Sequence, residues 1–329
     1  MAKPVLTILT GNREVTGLDN LRELADVRLA ADADELAAAL PGTEIVYLWN
    51  YFADGLQQGW DRADALKWVH LPAAGVDRLL FPELAASEVT VTNARGIFDS
   101  AMAEYALAGI LFFAKNFRQA MVNQARRRWQ HYATSNLAGT RALVAGTGSI
   151  GRSTARLLRA VGIATDGLGR TARDGDADFG AVFASEDFAA VAGNYDWIVL
   201  AAPLTEDTRG MLNSEVLAAM RSSAVLVNMG RGDLVEQCAL EATLRDGGIR
   251  GAVLDVASPE PLPKSSPLWD LDNVLITPHL SGDSQSHLPA MAAQFEANLR
   301  AYLAGEPLEN VVDKQLGFVA APAGGRAGG

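Results

Sequence analysis

The chain is short of sulfur, of basic charge and of long apolar runs, and each shortage excludes something. A single cysteine, Cys238, stands in 329 residues, so no internal disulfide is expected, and no Cys/His cluster has metal-ligand spacing. That thiol content points to a reducing compartment, and a cytoplasmic location is expected. Lys and Arg number 28 against 39 Asp and Glu, a formal charge of −11, with a pI near 4.9. A surface that binds nucleic acid or anionic membrane needs surplus positive charge, so neither partner is expected. No apolar run approaches the roughly 18 residues of a membrane span. The longest, residues 105–114, lies between Glu104 and Lys115. Residues 5–9 read as a strand rather than as the apolar core of a secretion signal, and no small-residue cleavage site follows. Internal repeats are lacking as well.

What is present fits a soluble globular protein: 49% hydrophobic and 20% charged residues, in a length that suits two domains at about 150 residues each. Strand-like and helix-like segments alternate, which predicts parallel sheets covered by helices. From residue 141 onward the strands are short apolar runs at 142–145, 163–168, 197–202, 225–229, 252–256 and 274–277. Runs this uniformly apolar suit the buried centre of a doubly wound sheet. Residues 1–98 repeat the pattern on a smaller scale, with strands at 5–10, 45–49, 68–71 and 89–92. A long helix is expected over 99–129, apolar on several faces around 106–113. It serves either as a core helix or as a dimer interface. Asp233 and Glu236 stand in capping-box spacing and begin a further helix that Gly247 and Gly248 stop. A last helix, about 286–304, is expected to return to the N-terminal domain. Residues 320–329, nearly all Ala, Gly and Pro, are expected to be disordered.

Gly146-Thr147-Gly148-Ser149-Ile150-Gly151 follows a predicted strand and opens a predicted helix. In that context the three glycines have separate tasks: a tight turn, close approach to a pyrophosphate, and close packing of helix on strand. The helix N-terminus attracts the anion. About twenty residues on, an NAD site normally places an acid on the ribose hydroxyls. Here the second strand ends in Gly169-Arg170-Thr171. A carboxylate repels a 2′-phosphate and an arginine pairs with it, so NADP(H) is the expected cofactor and NAD(H) the alternative. Asp166 is an acid nearby, but it falls inside the strand.

Three later strands carry a polar residue just past their carboxyl ends: Arg231, Glu260 and His279. In an open parallel sheet, ligands bind outside those ends, so the three are expected to converge. Reduction of a 2-oxo acid needs a cation for the carboxylate and carbonyl oxygens, which suits the planar fork of Arg231. It also needs a proton donor, which suits His279, with Glu260 to favour the charged imidazole and hold it in position. His70, His131 and His287 read as ordinary satisfied or exposed histidines.

With these residues in view, the chain resembles the D-isomer-specific 2-hydroxyacid dehydrogenases over nearly its whole length to Val319. The resemblance lies in Ala74-Gly75-Val76-Asp77, Thr92 to Gly96, Ala103-Glu104-Tyr105, Gly146 to Gly151, Asn228 to Gly232, Leu254-Asp255-Val256, Glu260-Pro261-Leu262 and Thr277-Pro278-His279. It implies an α/β fold of two Rossmann-like, doubly wound parallel-sheet domains with an active-site cleft between them. A discontinuous substrate domain would comprise 1–98 and 285–319, and a dinucleotide-binding domain 99–284. It implies a homodimer formed through helices of the larger domain. Arg231 would anchor substrate, His279 act as acid/base and Glu260 partner it, with backbone amides at Ala74, Gly75 and Val76 on the substrate carboxylate. Ser149 and Ile150 would lie at the pyrophosphate, Pro203 and Thr208 along the cofactor, and Asp255 and His279 near the nicotinamide. Gly169-Arg170-Thr171 departs from the NAD-dependent pattern and resembles the NADPH-dependent glyoxylate and hydroxypyruvate reductases. Trp49, Asn50, Tyr51 and Phe52 match no substrate pattern; those aromatics line a pocket or pack a core. Arg126-Arg127-Arg128-Trp129 reaches a partner subunit or is a solvated helix end. A nucleotide-sensing, corepressor-like binding protein on the same fold is the alternative of another class.

Overall fold

A computed structural model describes residues 3–11, 13–50 and 55–320. Tyr51 and Phe52, and the tail beyond Ala320, lie outside the described residues. The chain divides into two compact units, one of residues 1–98 with 284–329 and one of residues 99–283.

In the first unit the parallel sheet runs β2-β1-β3-β4-β5, with β1 Val5–Leu9, β2 Asp26–Ala30, β3 Ile45–Tyr47, β4 Trp68–Leu71 and β5 Thr90–Asn93. Alternate side chains pack opposite faces. Leu9, Val46 and Val69 join one apolar cluster, while Leu6, Ile8, Tyr47 and Trp68 join another. The helix His287–Ala304 supplies Met291, Phe295 and Leu299 to that second cluster. Their spacing of four residues sets them on one stripe. Phe295 stacks on Tyr47 with ring centroids 3.9 Å apart. Strand β2 was not foreseen: Asp-Val-Arg-Leu-Ala lies at the sheet edge and is largely uncovered, so it lacks a continuous apolar run.

The second unit's sheet runs β13-β12-β11-β10-β6-β7-β9-β8. Its strands are β6 Arg141–Ala145, β7 Ala164–Gly169, β8 Arg173–Asp174, β9 Ala181–Ala184, β10 Trp197–Leu200, β11 Val225–Asn228, β12 Gly251–Leu254 and β13 Val274–Ile276. All pair in parallel except β8 with β9.

Two helix expectations need correction. The segment 99–129 is two helices, Asp99–Ala114 and Phe117–Ala125. Asn116, left-handed at φ 50°, breaks the run; Asn tolerates that conformation and tertiary packing exploits it. The first helix buries Ala106, Ile110 and Phe113 in the second unit's core. The Asp233–Glu236 capping box does not form. Asp233 belongs to a one-turn 3₁₀ segment, Gly232–Leu234, and the helix begins only at Gln237 with no side-chain cap. Asp233 instead accepts hydrogen bonds from Arg209 and Ser258, and Glu236 accepts one from the Ser214 amide. Gly247, left-handed at φ 70°, does end that helix.

Candidate active site

The helix Ser149–Ala160 starts from an extended Gly148, and no side chain caps its first amides. A Cβ at Gly146 would stand 2.6 Å from the Ala201 carbonyl group, and one at Gly151 only 1.8 Å from the Gly146 carbonyl oxygen. The protein's own packing therefore demands the first and third glycines. A Cβ at Gly148 would meet nothing within 4 Å. Ser149 and Ile150 occupy the helix's first turn. Uncapped amides, a helix dipole and unobstructed backbone at the middle glycine fit the pyrophosphate of a dinucleotide.

Strand β7 ends at Gly169, where a Cβ would lie 3.1 Å from Thr147 Oγ1 of the phosphate loop. Arg170 and Thr171 follow and are exposed. The segment beyond them is tied down by charge. Arg152, in the phosphate-loop helix, makes a bidentate pair with Asp176 at 2.8 and 2.9 Å and a further pair with Asp178 at 2.9 Å. Arg173 adds a second guanidinium to Asp176. Burial alone would raise the Asp176 carboxyl, but Arg152, the Asp178 amide and Arg173 hold it well below the usual range. Asp166 is buried inside β7 and is engaged by Arg141 and Tyr195.

The carboxyl ends of β11, β12 and β13 are level, with Asn228 opposite Leu254 and Leu254 opposite Ile276. Each of Arg231, Glu260 and His279 follows one of them. His279 Nδ1 lies 3.0 Å from Glu260 Oε2, and Glu260 Oε1 accepts the Ala257 amide at 3.1 Å. With Nδ1 committed to the carboxylate, Nε2 is the nitrogen left for chemistry. The imidazole is accessible, with 39% of its side chain exposed.

The Arg231 turn and the Glu260 turn interlock. At Gly232 a Cβ would come within 2.0 Å of the Ala257 carbonyl group, so backbone packs on backbone. Asn228, itself buried, donates to the Arg231 carbonyl and accepts from the Gly230 amide. Ser258 donates from its hydroxyl to Asp233 and from its amide to Gln237.

Asp255 is 2% exposed, and its carboxylate faces the His279 loop. It accepts Thr277 Oγ1 at 2.6 Å and the amides of Leu280 and Ser281 at 2.9 and 2.8 Å. Its carbonyl accepts the His279 amide at 2.9 Å. His279 takes a left-handed conformation, φ 54°. Thr208 Oγ1 donates to the Pro203 carbonyl at 2.7 Å and accepts the Thr205 amide, so it braces its own loop. Tyr105 bonds to Thr277 at 2.6 Å. Roles for Asn228, Ser258, Thr277 and Tyr105 were not foreseen. Some lie in the quoted motifs, but their tasks depend on partners remote in sequence.

In the first unit, Asn93 donates to the Ala74 carbonyl at 2.6 Å. Among the described residues the amides of Ala74, Gly75 and Val76 find no protein acceptor. Trp49 belongs to the core, with Nε1 donating to the Glu14 carbonyl, while Asn50 is half-buried. His70 is fully buried. Its Nδ1 meets Thr92, but its Nε2 and the Tyr47 hydroxyl have no hydrogen-bond partner among the described residues. His131 is exposed, and His287 Nδ1 meets the Ser284 carbonyl. Residues 126–129 are exposed, as is Cys238. Among the described residues no His/Cys/Asp/Glu group could hold a metal, and no helix is long and apolar enough to cross a membrane.

Comparison with known proteins bears on this geometry. Residues 107–281 match the family model described as D-isomer specific 2-hydroxyacid dehydrogenase, NAD binding domain. A glycerate dehydrogenase of Methylorubrum extorquens is 31% identical over 293 residues, covering 85% of this chain and 88% of the relative. A solved D-isomer specific 2-hydroxyacid dehydrogenase from Xanthobacter autotrophicus, in complex with NADPH and MES, is 30% identical with a TM-score of 0.82. That match covers 96% of this chain and all of the other. An NADPH-dependent glyoxylate/hydroxypyruvate reductase from Sinorhizobium meliloti, with NADP and sulfate, is 26% identical with a TM-score of 0.82. It too is matched over its full length and over 96% of this chain.

Proposed function

This chain belongs to the D-isomer specific 2-hydroxyacid dehydrogenase family, and from that premise we propose that it reduces a small 2-oxo acid of the glyoxylate or hydroxypyruvate kind to the D-2-hydroxy acid, with NADPH as hydride donor. The observation that carries the chemistry is the 3.0 Å contact between Glu260 and His279 Nδ1. A carboxylate on Nδ1 orients the ring and fixes the tautomer left after proton loss, with Nε2 turned to the substrate. In reduction, Nε2–H passes its proton to the oxygen that was the carbonyl. The neutral ring keeps Nδ1–H on Glu260. Arg231 holds the carboxylate and polarises the carbonyl oxygen. The nicotinamide supplies the hydride.

Gly146, Gly148, Ser149, Ile150 and Gly151 hold the pyrophosphate in this reading, and Arg170 with Thr171 holds the 2′-phosphate. NADPH is supported by Gly169, which brings no carboxylate to the strand end, and by the NADPH of the Xanthobacter relative. Thr208 spends its hydroxyl on its own loop and Asp255 its carboxylate on the His279 loop, so with Pro203 they shape the nicotinamide site through loop placement. A homodimer is part of the reading, supported by exposed Phe117, Met121 and Trp129, the last 97% exposed. A cytoplasmic location is kept, since Cys238 stands alone.

The test is consumption of NADPH and NADH, side by side, with glyoxylate, hydroxypyruvate, pyruvate and phenylpyruvate. NADPH consumption with glyoxylate or hydroxypyruvate, and much slower use of NADH, is the expected result. Preference for NADH would overturn the cofactor reading and leave the reaction. Binding of both cofactors without turnover of any acid would favour the sensing protein. His279→Ala is expected to cost 10²–10⁴ in kcat while NADPH binding stays nearly intact.

A further inference from the structure

We infer that Tyr105 and Thr277 are positioning residues for the proton donor: through Asp255 they hold the loop that carries His279. The inference rests on the proposed role of His279 as acid/base. Thr277 Oγ1 donates to Asp255 Oδ1 at 2.6 Å. Its single hydrogen is therefore used, and at the 2.6 Å contact with Tyr105 the phenol must be the donor. The three groups form one directional chain, Tyr O–H to Thr O–H to carboxylate. Each donor in such a chain is strengthened by the next, and the chain ends on a charge in a site shielded from water. Burial pushes the Tyr105 phenol well above its usual range, which keeps it protonated as the chain requires.

The sheet explains why the loop needs such a tie. Strand β13 is three residues long and lies at the sheet edge, with only β12 beside it. Two residues past Thr277, His279 adopts a left-handed conformation that a non-glycine residue holds only when its surroundings impose it. The imposing group is Asp255, which accepts the two amides that follow His279 on its carboxylate and the His279 amide on its carbonyl. Tyr105 brings a second anchor from the helix Asp99–Ala114, an element outside the sheet. Glu260 orients the ring, whereas the Tyr105–Thr277–Asp255 chain places the backbone from which the ring hangs.

The experiment compares Tyr105→Phe, Thr277→Val, Thr277→Ser and the Tyr105→Phe/Thr277→Val double variant with His279→Ala, each measured for NADPH affinity, KM and kcat. Thr277→Val is expected to lower kcat by about 100-fold, the cost of an ångström of misplacement. Tyr105→Phe should lower it about fivefold, the size of one neutral hydrogen bond. NADPH affinity should stay within a factor of two or so of the parent, about the scatter of an uninvolved surface substitution. Thr277→Ser, which keeps the hydroxyl, should recover most of kcat, and the double variant should be no worse than Thr277→Val. Full kcat in Thr277→Val with a dead His279→Ala would overturn this inference and leave the reaction standing. Parallel loss of NADPH binding and kcat, unrescued by serine, would show a merely structural threonine and also overturn it. An active His279→Ala would bring down the reading of the site itself.

Discussion

Gly169 and Arg170 carry the choice of cofactor between them, and they can be separated. Arg170→Ala should raise KM for NADPH about tenfold or more while leaving KM for NADH nearly unchanged, since a charge-assisted pair to phosphate contributes about 1.5–3 kcal/mol. Gly169→Asp should reverse the preference by setting a carboxylate where the 2′-phosphate would lie. Steady-state kinetics with both cofactors checks the pair, and an equal change for each would count against the assignment. At the same scale His70 predicts a pH effect on stability. Burial lowers its pKa to about 3, against about 6.5 unfolded. The unfolded chain therefore binds the extra proton between those values, and stability falls as pH drops below about 6.5. At pH 5 the loss from this residue is about 2 kcal/mol, measurable as a falling urea midpoint that His70→Asn should flatten. The placement of Arg231, Glu260 and His279 past the carboxyl ends of three strands was legible because each follows an apolar run. Thr277 and Tyr105 were not, since a hydroxyl shows its purpose only once its partner is known.

At the level of elements, uniform apolarity made the central strands readable, because a strand buried on both faces has little freedom to vary. The edges were less readable. Strand β2 alternates charge with apolar residues over only a few positions and β8 has two residues, so neither shows the continuous apolar run by which the central strands were read. The turn at Asn116 escaped notice because asparagine breaks a helix only when packing calls on it. The Asp233–Glu236 spacing misled for a related reason: Arg209 and Ser258 bind Asp233 outside the helix. One tie between elements predicts function. The Arg152–Asp176 pair joins the phosphate-loop helix to the segment after Arg170, so it sets the span between the pyrophosphate and 2′-phosphate sites. Asp176→Asn should raise KM for NADPH more than for NADH and lower the melting temperature. Equal effects on both cofactors would reduce the pair to a stabilising role.

For the whole molecule, the decisive fact is that the first unit is assembled from both ends of the chain. Tyr47 and Trp68 lie against Phe295 in that unit's core. A chain ending at residue 283 should therefore aggregate or lose the unfolding transition of the first unit, whereas residues 99–283 alone should stay folded and bind NADPH. Calorimetry and cofactor titration of the two pieces would decide; a soluble 1–283 that keeps a second transition, beyond the one seen for 99–283, would refute the first half. The arrangement also sets an order of events on the ribosome. The sheet of residues 5–93 is translated before the helix His287–Ala304 that covers its aromatic face. While residues 94–286 are being made that face has no cover, and the second unit, made whole in between, can finish folding before the first. A newly made chain thus exposes a sticky sheet in proportion to the time spent translating its middle. Slow codons between residues 99 and 283 would lengthen that exposure, and slow codons after residue 304 would not.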